Sequence, residues 1–297
     1  MASAPIRLLR TVTQGLSRLY PLYSGCGSIA NSAFYRFLSA DEELIETRLR
    51  DGSAIQVHLN DYVGRSLFFF GDLDPKISWL ARTVLRPGDA MLDIGANYGL
   101  VTLQAARLVG ATGQVHAFEP QPDLAELVRS SCQRNGYTQA TVHNLGLSDA
   151  DAETSMTIPL HNRGMASVNP EVGGRTIAIK LKNGSAYLRG LNLPRVRFIK
   201  VDVEGHEAAV FSGASAWLAE AKPEVIVFEN AEESQPFWEH PAVKVLAGLD
   251  YDFFGLPRAK LRMKLCPIPR DVPAAPHFHD VVAIHKTSSF HEQAQRG

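Results

Sequence analysis

The alternation of apolar and polar residues changes period several times along the chain, and each change marks an element. In LRDGSAIQVHL (residues 49–59) the two classes alternate after the turn signal Asp51-Gly52, and the apolar run SLFFFG (66–71) follows; together they predict a small β-hairpin. From 76 to 86, Ile77, Trp79, Leu80, Val84 and Leu85 recur at helical spacing until Pro87-Gly88 closes the pattern. A repeat then begins: strand AMLDIG, helix 100–109, strand QVHAFE, helix 123–135 ended by Gly136, strand TVHNLGL. Two β-like runs, TSMTIPL and RTIAIKL, surround the Gly-containing stretch 162–174 and read as an inserted hairpin and loop. The repeat resumes with RFIKVDV, a helix over 206–219 and PEVIVFEN, and YDFFGL and HDVVAIH supply the last two strands.

Strands that alternate with helices of about ten residues require crossover connections, and hence a doubly wound, mostly parallel α/β sheet. Residues 1–85 form a helical arm and the small hairpin, 86–286 the doubly wound domain, and 287–297 a tail. At 297 residues, one large core is the expectation.

Composition narrows the function classes. Thirty Lys and Arg against thirty-one Asp and Glu leave a net charge of −1, so no global field draws the protein to nucleic acid. Three distant cysteines, Cys26, Cys132 and Cys266, fit neither a disulfide framework nor a paired zinc spacing, and a reducing cytoplasm is the expected compartment. No apolar run approaches the roughly 18 residues that span a bilayer. The first forty residues carry Arg7, Arg10, Arg18 and Arg36 and no acid before Asp41. Such an arm either caps the domain or makes weak contact with a membrane surface or partner.

The first strand runs into Asp93-Ile94-Gly95-Ala96-Asn97-Tyr98-Gly99. A glycine turn here brings backbone close to a ligand at a helix N-terminus. A dinucleotide fingerprint needs glycine at the third and sixth positions counted from Gly95, where this chain has Asn97 and Leu100, so the nicotinamide reading fails on spacing. The turn suits a cofactor without pyrophosphate, whose ammonium group a carboxylate holds; S-adenosylmethionine is one. Glu119 ends the second strand, where a carboxylate accepts from the ribose diol. Ser148 and Asp149, at the third tip, are placed to flank adenine and bind its amine.

These motifs resemble the FkbM-type methyltransferases, class I enzymes with a Rossmann-like fold that act mostly on hydroxyl groups. Three blocks carry the resemblance: LDIGANYGLVTL, AFEPQPDLAELVRSSCQRNG and IKVDVEGHEAAVFSG with VIVFEN following, within about residues 86–230. It implies adenosylmethionine as donor and Asp93, Gly95, Asn97, Gly99 and Glu119 as its contacts.

Transfer of a methyl from a sulfonium to an alcohol needs alignment and a proton acceptor. Asp202, Glu204 and His206, with Glu229 from the next strand, converge on the carboxyl ends of the central strands. They suit either a histidine base oriented by an acid or a divalent cation held by oxygens, and the two stay open. Other readings of these acids are helix N-terminal carboxylates, for Glu204 and Glu207, and a first-turn surface histidine, for His206.

The segment RAKLRMKL (258–265) reads as a strand with one cationic face, either a charged edge or a recognition surface for an anionic acceptor. His161, Asn162, Arg163 and Ser167 either close over the cleft or serve as turn residues, and His277, His279 and Asp280 read as structural in preference to metal-binding. The leading expectation is O-methylation of a small-molecule or sugar hydroxyl. N-methylation, an inactive binding protein of the same fold and a metal hydrolase are the alternatives.

Overall fold

The computed structural model describes residues 4–40, 44–159, 162–168, 173–230, 236–270 and 278–296. The chain enters through α1 (Ala4–Ser17), α2 (Cys26–Ala30) and α3 (Ala33–Leu38), followed by the antiparallel hairpin of β1 (Leu44–Arg48) and β2 (Ala54–His58). Helices α4 (Tyr62–Phe70) and α5 (Pro75–Val84) lead to the main sheet.

The run SLFFF lies in α4 and not in a strand. Asp61 caps this helix, its Oδ1 accepting from the amides of Val63 and Gly64. Helix α4 packs against α1, α2 and β2, so almost every side chain on it is buried. A helix enclosed on all sides has no polar stripe from which its period can be read.

The repeat then unfolds in order: β3 (Ala90–Ile94), α6 (Leu100–Val109), β4 (Gln114–Phe118), α7 (Pro122–Arg134) and β5 (Ala140–His143). Next come β6 (Gly146–Ser148), β7 (Ala152–Ile158), β8 (Arg175–Asn183), α8 (Gly184–Gly190), β9 (Val196–Val201) and α9 (Glu207–Ala221). The chain closes with β10 (Val225–Glu229), α10 (Pro241–Ala247), β11 (Tyr251–Leu256), β12 (Cys266–Pro267), β13 (Asp280–His285) and α11 (His291–Arg296).

The main sheet has the order β12-β11-β13-β10-β9-β3-β4-β5. It is parallel from β10 to β5, and β13 runs antiparallel to both of its neighbours. Alternate residues feed two cores. Met91, Val115, Phe198 and Val227 pack on one face with the N-terminal helices and α6, while Leu92, Ile199, Ile226 and Phe228 pack on the other with α9 and α10. From β3 the chain moves outward to β4 and β5, then returns to β9 on the opposite side of β3. A crevice opens where the order reverses, at the carboxyl ends of β3 and β9.

Three further expectations about elements change. TVHNLGL is not one strand: β5 stops at His143, and the Asn144 side-chain amide donates to the carbonyls of Glu119 and Pro120, both at 3.0 Å, which turns the chain off the sheet. The remainder, β6, joins β8 and β7 in a separate three-stranded sheet with the inserted hairpin. RAKLRMKL forms no strand: it crosses as irregular chain between β11 and β12, its Lys260 carbonyl accepts from the Tyr23 amide, and Leu261 stands in solvent. Leu265 is buried and Met263 packs against the core, but the segment finds no neighbouring strand to pair with. The segment read as a tail is packed, with Phe290 and Ala294 buried and the Ser288 hydroxyl donating to Glu224 at 2.9 Å.

Candidate active site

At the end of β3, Gly95 (φ 82°) and Asn97 (φ 52°) take left-handed backbone conformations. The amides of Gly95 and Ala96 both donate to the Phe118 carbonyl at 3.0 Å, tying the turn to β4. A Cβ at Gly95 would collide with the carbonyl oxygen of Asp202, so the close approach of β3 to the end of β9 requires glycine there. Gly99 (φ 87°) starts α6, and a Cβ on it would come 2.9 Å from Val128 Cγ1 on α7.

Glu119 pins this turn from the next strand tip. Its Oε2 accepts from the Asn97 amide at 2.8 Å and its Oε1 from the Gln121 amide at 2.9 Å. Only 3% of the residue is exposed, and burial pushes its pKa up to about 7 against the pull of those two amides. Each oxygen keeps a further lone pair for a ligand.

Asp93 stands behind the turn and is fully enclosed. Its Oδ2 accepts from the Thr102 hydroxyl at 2.6 Å, while its Oδ1 lies 3.6 Å from the Lys200 ammonium with no hydrogen-bond partner. Lys200 donates to the Gly95 carbonyl at 2.7 Å and lies 3.2 Å from Asp202 Oδ2. Burial works to lower its pKa, but Asp202 and Asp93 outweigh it and hold the ammonium firmly charged. Nothing in the glycine motif points to this lysine. The available signal was a lysine inside the otherwise apolar strand run RFIKVDV.

Strand β9 ends at Val201, and the strand period does not carry through the catalytic candidates, because Glu204 (φ 52°) and Gly205 (φ 88°) break the backbone before α9. The Asp202 amide donates to Ile94 at 3.0 Å, so the segment stays against β3. Ligand oxygens of Asp202, Glu204 and Glu229 lie within 4.8 Å of one another. Burial, then the charges of Asp202 and Glu229, raise Glu204 to about 8. Burial, then Asp202, raise Glu229 to about 7, against the opposing pull of His279. Crowded acids of this kind can take up a proton near neutrality or hold a divalent cation. Glu207 has a separate role at the start of α9, where its Oε1 accepts from the Val203 amide at 3.0 Å.

His206 diverges from the carboxylates. Its Nε2 lies 2.9 Å from the Ser148 hydroxyl, which in turn donates to Asp149 Oδ1 at 3.1 Å, and burial lowers its pKa. The imidazole that meets the cluster is His279. Its Nε2 is 3.0 Å from Glu229 and its Nδ1 is 3.5 Å from Asp280, which Lys76 of α5 pairs at 2.8 Å. This chain of groups crosses from α5 to β10 and was hidden in the sequence, because Lys76 and His279 are two hundred residues apart. His277 and His161 lie outside the described residues.

One cavity of about 780 Å³ joins these groups. Gly95, Asn97 and Glu119 line one end; Asp202, Glu204, Glu229, His279 and Arg258 line the other, and His206 also reaches it. Asp93, Gly99, Ser148 and Asp149 do not line it. The inserted loop roofs it through Asn162, Arg163 and Met165. That roof is fastened: the Arg163 amide donates to Asp61 at 2.7 Å, its guanidinium pairs with Asp123, and the Ser167 hydroxyl donates to the Glu204 carbonyl at 3.2 Å.

The model of the methyltransferase FkbM domain matches residues 93–253. Among curated proteins, the chain is 29% identical over 126 residues to the hexuronic acid methyltransferase AglP of Haloferax volcanii, covering 42% of this chain and 49% of that protein. It is 30% identical over 135 residues to the 31-O-demethyl-FK506 methyltransferase FkbM of Streptomyces tacrolimicus, covering 45% and 50% respectively. The chain thus spans about half the length of these curated relatives. A solved structure of methyltransferase FkbM from Methylobacillus flagellatus KT aligns with a TM-score of 0.40 at 15% identity, covering 75% of this chain and 53% of that one. With over half its length matched by the family model, from the Asp93 turn to β11, the chain belongs to the methyltransferase FkbM family.

Proposed function

We propose that this protein transfers a methyl group from S-adenosylmethionine to a hydroxyl of a sugar-type acceptor carrying an anionic group. The observation that carries this reading is the single cavity running from the glycine turn and Glu119 to the carboxylates of β9 and β10.

The residues at the first end fit the donor. The bare Cα of Gly95 leaves the backbone accessible, and Glu119 presents two oxygens, each with one backbone donor and one lone pair to spare, to a vicinal diol. Lys200 and Asp93 brace the turn from behind, and Asp202 is the carboxylate on the cavity side for an ammonium group. His206 steadies Ser148 and Asp149 at the adenine side. When bound, adenosylmethionine supplies a methyl already activated on a sulfonium.

At the other end, Glu229 is placed to accept the hydroxyl proton. A carboxylate with a pKa near 7 is poised for that task at neutral pH, and His279, held by Asp280 and Lys76, fixes its orientation. Such a base favours an alcohol over an amine acceptor, because a neutral amine attacks without prior loss of a proton. Arg258 lines the same end and offers a planar cation to a carboxylate. The hexuronic acid named for one relative is an acceptor of this class.

The test is incubation with labelled adenosylmethionine and a panel of matched glycosides, uronides and aminosugars. Transfer to a hydroxyl of the uronides, with weaker use of neutral glycosides, is expected. Transfer only to amines, or to none of the panel, would overturn the assignment. The close approach of the Asp202, Glu204 and Glu229 oxygens favours one second reading, a divalent cation that binds the acceptor hydroxyl. Activity lost in a chelator and restored by magnesium or manganese would establish it, and full activity in chelator would leave the carboxylates as base alone.

A further inference from the structure

We propose that α1 docks the protein on an anionic lipid surface, lying in the plane of the interface. Helix α1 is amphipathic in the reverse sense for a helix packed on a domain. It turns polar residues inward: Arg10, Thr13 and Ser17 are buried, the Arg10 guanidinium donating to the Leu38 carbonyl at 2.9 Å. It turns apolar ones outward: Leu8 is 68% exposed and Leu16 67%, with Leu9 and Val12 between them, and Leu19, 76% exposed, follows in the turn after the helix. At 100° per residue the four helical positions fall on one face, and they extend about 12 Å along the axis. Phe34 and Phe37 of the neighbouring α3 add two exposed rings. Among the described residues, the only exposed large apolar side chains beyond residue 44 are Met165 and Leu261.

The second observation is charge. Beside the apolar face, α1 and β1 enclose a groove of about 570 Å³ lined by Arg7, Arg10, Arg18 and Arg48. Its one acid among the described residues, Glu46, is taken by Arg134 at 2.6 Å. On the helical wheel, Thr11 and then Arg7 follow Leu8 across Gly15, on the groove side of the apolar stripe, while Arg18, just past the helix, donates to the Thr47 hydroxyl and the Arg48 and Phe68 carbonyls. No aspartate or glutamate occurs in the first forty residues. An apolar helix face with an arginine-lined groove alongside it and no acid on the helix itself matches the acyl boundary and phosphate headgroups of an anionic leaflet. The charge excludes a purely apolar partner, and no helix among the described residues is long and apolar enough to cross a membrane, so the contact lies on the surface.

Flotation of the full chain with phosphatidylcholine vesicles, with and without about one-third phosphatidylglycerol, tests this. The wild-type protein is expected to float with the anionic vesicles and to be released by high salt. The variant Leu8→Ser/Val12→Ser/Leu16→Ser, altered only at exposed positions, is expected to lose at least tenfold in partitioning while keeping its melting temperature. Arg7→Glu/Thr11→Glu is expected to bind both vesicle types alike and weakly. No flotation of folded wild-type protein, or equal flotation of wild type and the serine variant, would overturn the proposal. So would a concentration-dependent dimer that the serine variant converts to monomer, since the face would then bind a second copy.

Discussion

The two ends of the cavity are built on opposite principles. Around the β3 turn, the groups that shape the backbone are bonded: Glu119 bonds two amides, Lys200 bonds the Gly95 carbonyl and the turn amides bond Phe118, while Asp93 Oδ1 is left without a hydrogen bond. Around β9 and β10, three carboxylates crowd together, the pKa values of Glu204 and Glu229 are raised, and among the described residues Lys200 pairs with Asp202 and His279 with Glu229. A preformed end suits a ligand that is always the same. An end that stores uncompensated charge has work left for an acceptor proton or a cation, and crowding like charges there costs stability.

The comparison is broken most severely at Gly95. Gly95→Ala meets the Asp202 carbonyl and an unfavourable φ together, and is expected to cost about 3 kcal/mol or more of unfolding free energy and to abolish donor binding; denaturant titration and calorimetry check both. At the opposite end, Glu229→Gln is expected to lower kcat by about 10²-fold or more, the range of general-base contributions, with donor affinity within about twofold. A parallel loss of donor affinity would mean that the two ends are not separable.

Glu119→Gln is expected to weaken donor binding about tenfold to a hundredfold, the loss of a charge-assisted hydrogen bond. It should leave kcat at saturating donor little changed. The same carboxylate gives a pH test. With its pKa raised to about 7, the ionised form that accepts from a diol falls to about one tenth at pH 6, so donor affinity should drop about tenfold from pH 8 to pH 6 and the drop should vanish in the glutamine variant. The stability effect has the opposite sign. The folded state holds that proton more tightly than the unfolded chain, so Glu119's contribution is most favourable below its ordinary value of 4.5 and is lost as pH rises through about 7. The smallest change belongs to His206→Ala, which removes one hydrogen bond to Ser148; a loss of up to about tenfold in donor affinity is expected, with the chemical step retained.

The sequence carried the sheet and the glycine turn because their signals are local. Short, mostly apolar runs preceded by Gly or Pro mark β3, β4, β9 and β10, and α6 begins and ends where its pattern does. The failures have a common physical origin. Helix α4 is apolar on every side, so no period shows, and TVHNLGL is divided by a side-chain amide that contacts the preceding strand tip. Arg258–Leu265 alternates but finds no neighbouring strand. In the site, Asp202, Glu204 and Glu229 were legible from their places at strand ends. Lys200 and the His279–Asp280–Lys76 chain were not, because their roles come from contacts between segments that no local period reports.

The most direct test of the account is calorimetric titration of adenosylmethionine, its demethylated product and NAD into wild-type protein, Glu119→Gln and Glu229→Gln. The account predicts that the first two ligands bind wild type and Glu229→Gln alike, bind Glu119→Gln at least tenfold more weakly, and that NAD does not bind. Binding of NAD, or a Glu229 variant that loses the donor while the Glu119 variant keeps it, would contradict the division of the cavity into a donor end and a reacting end.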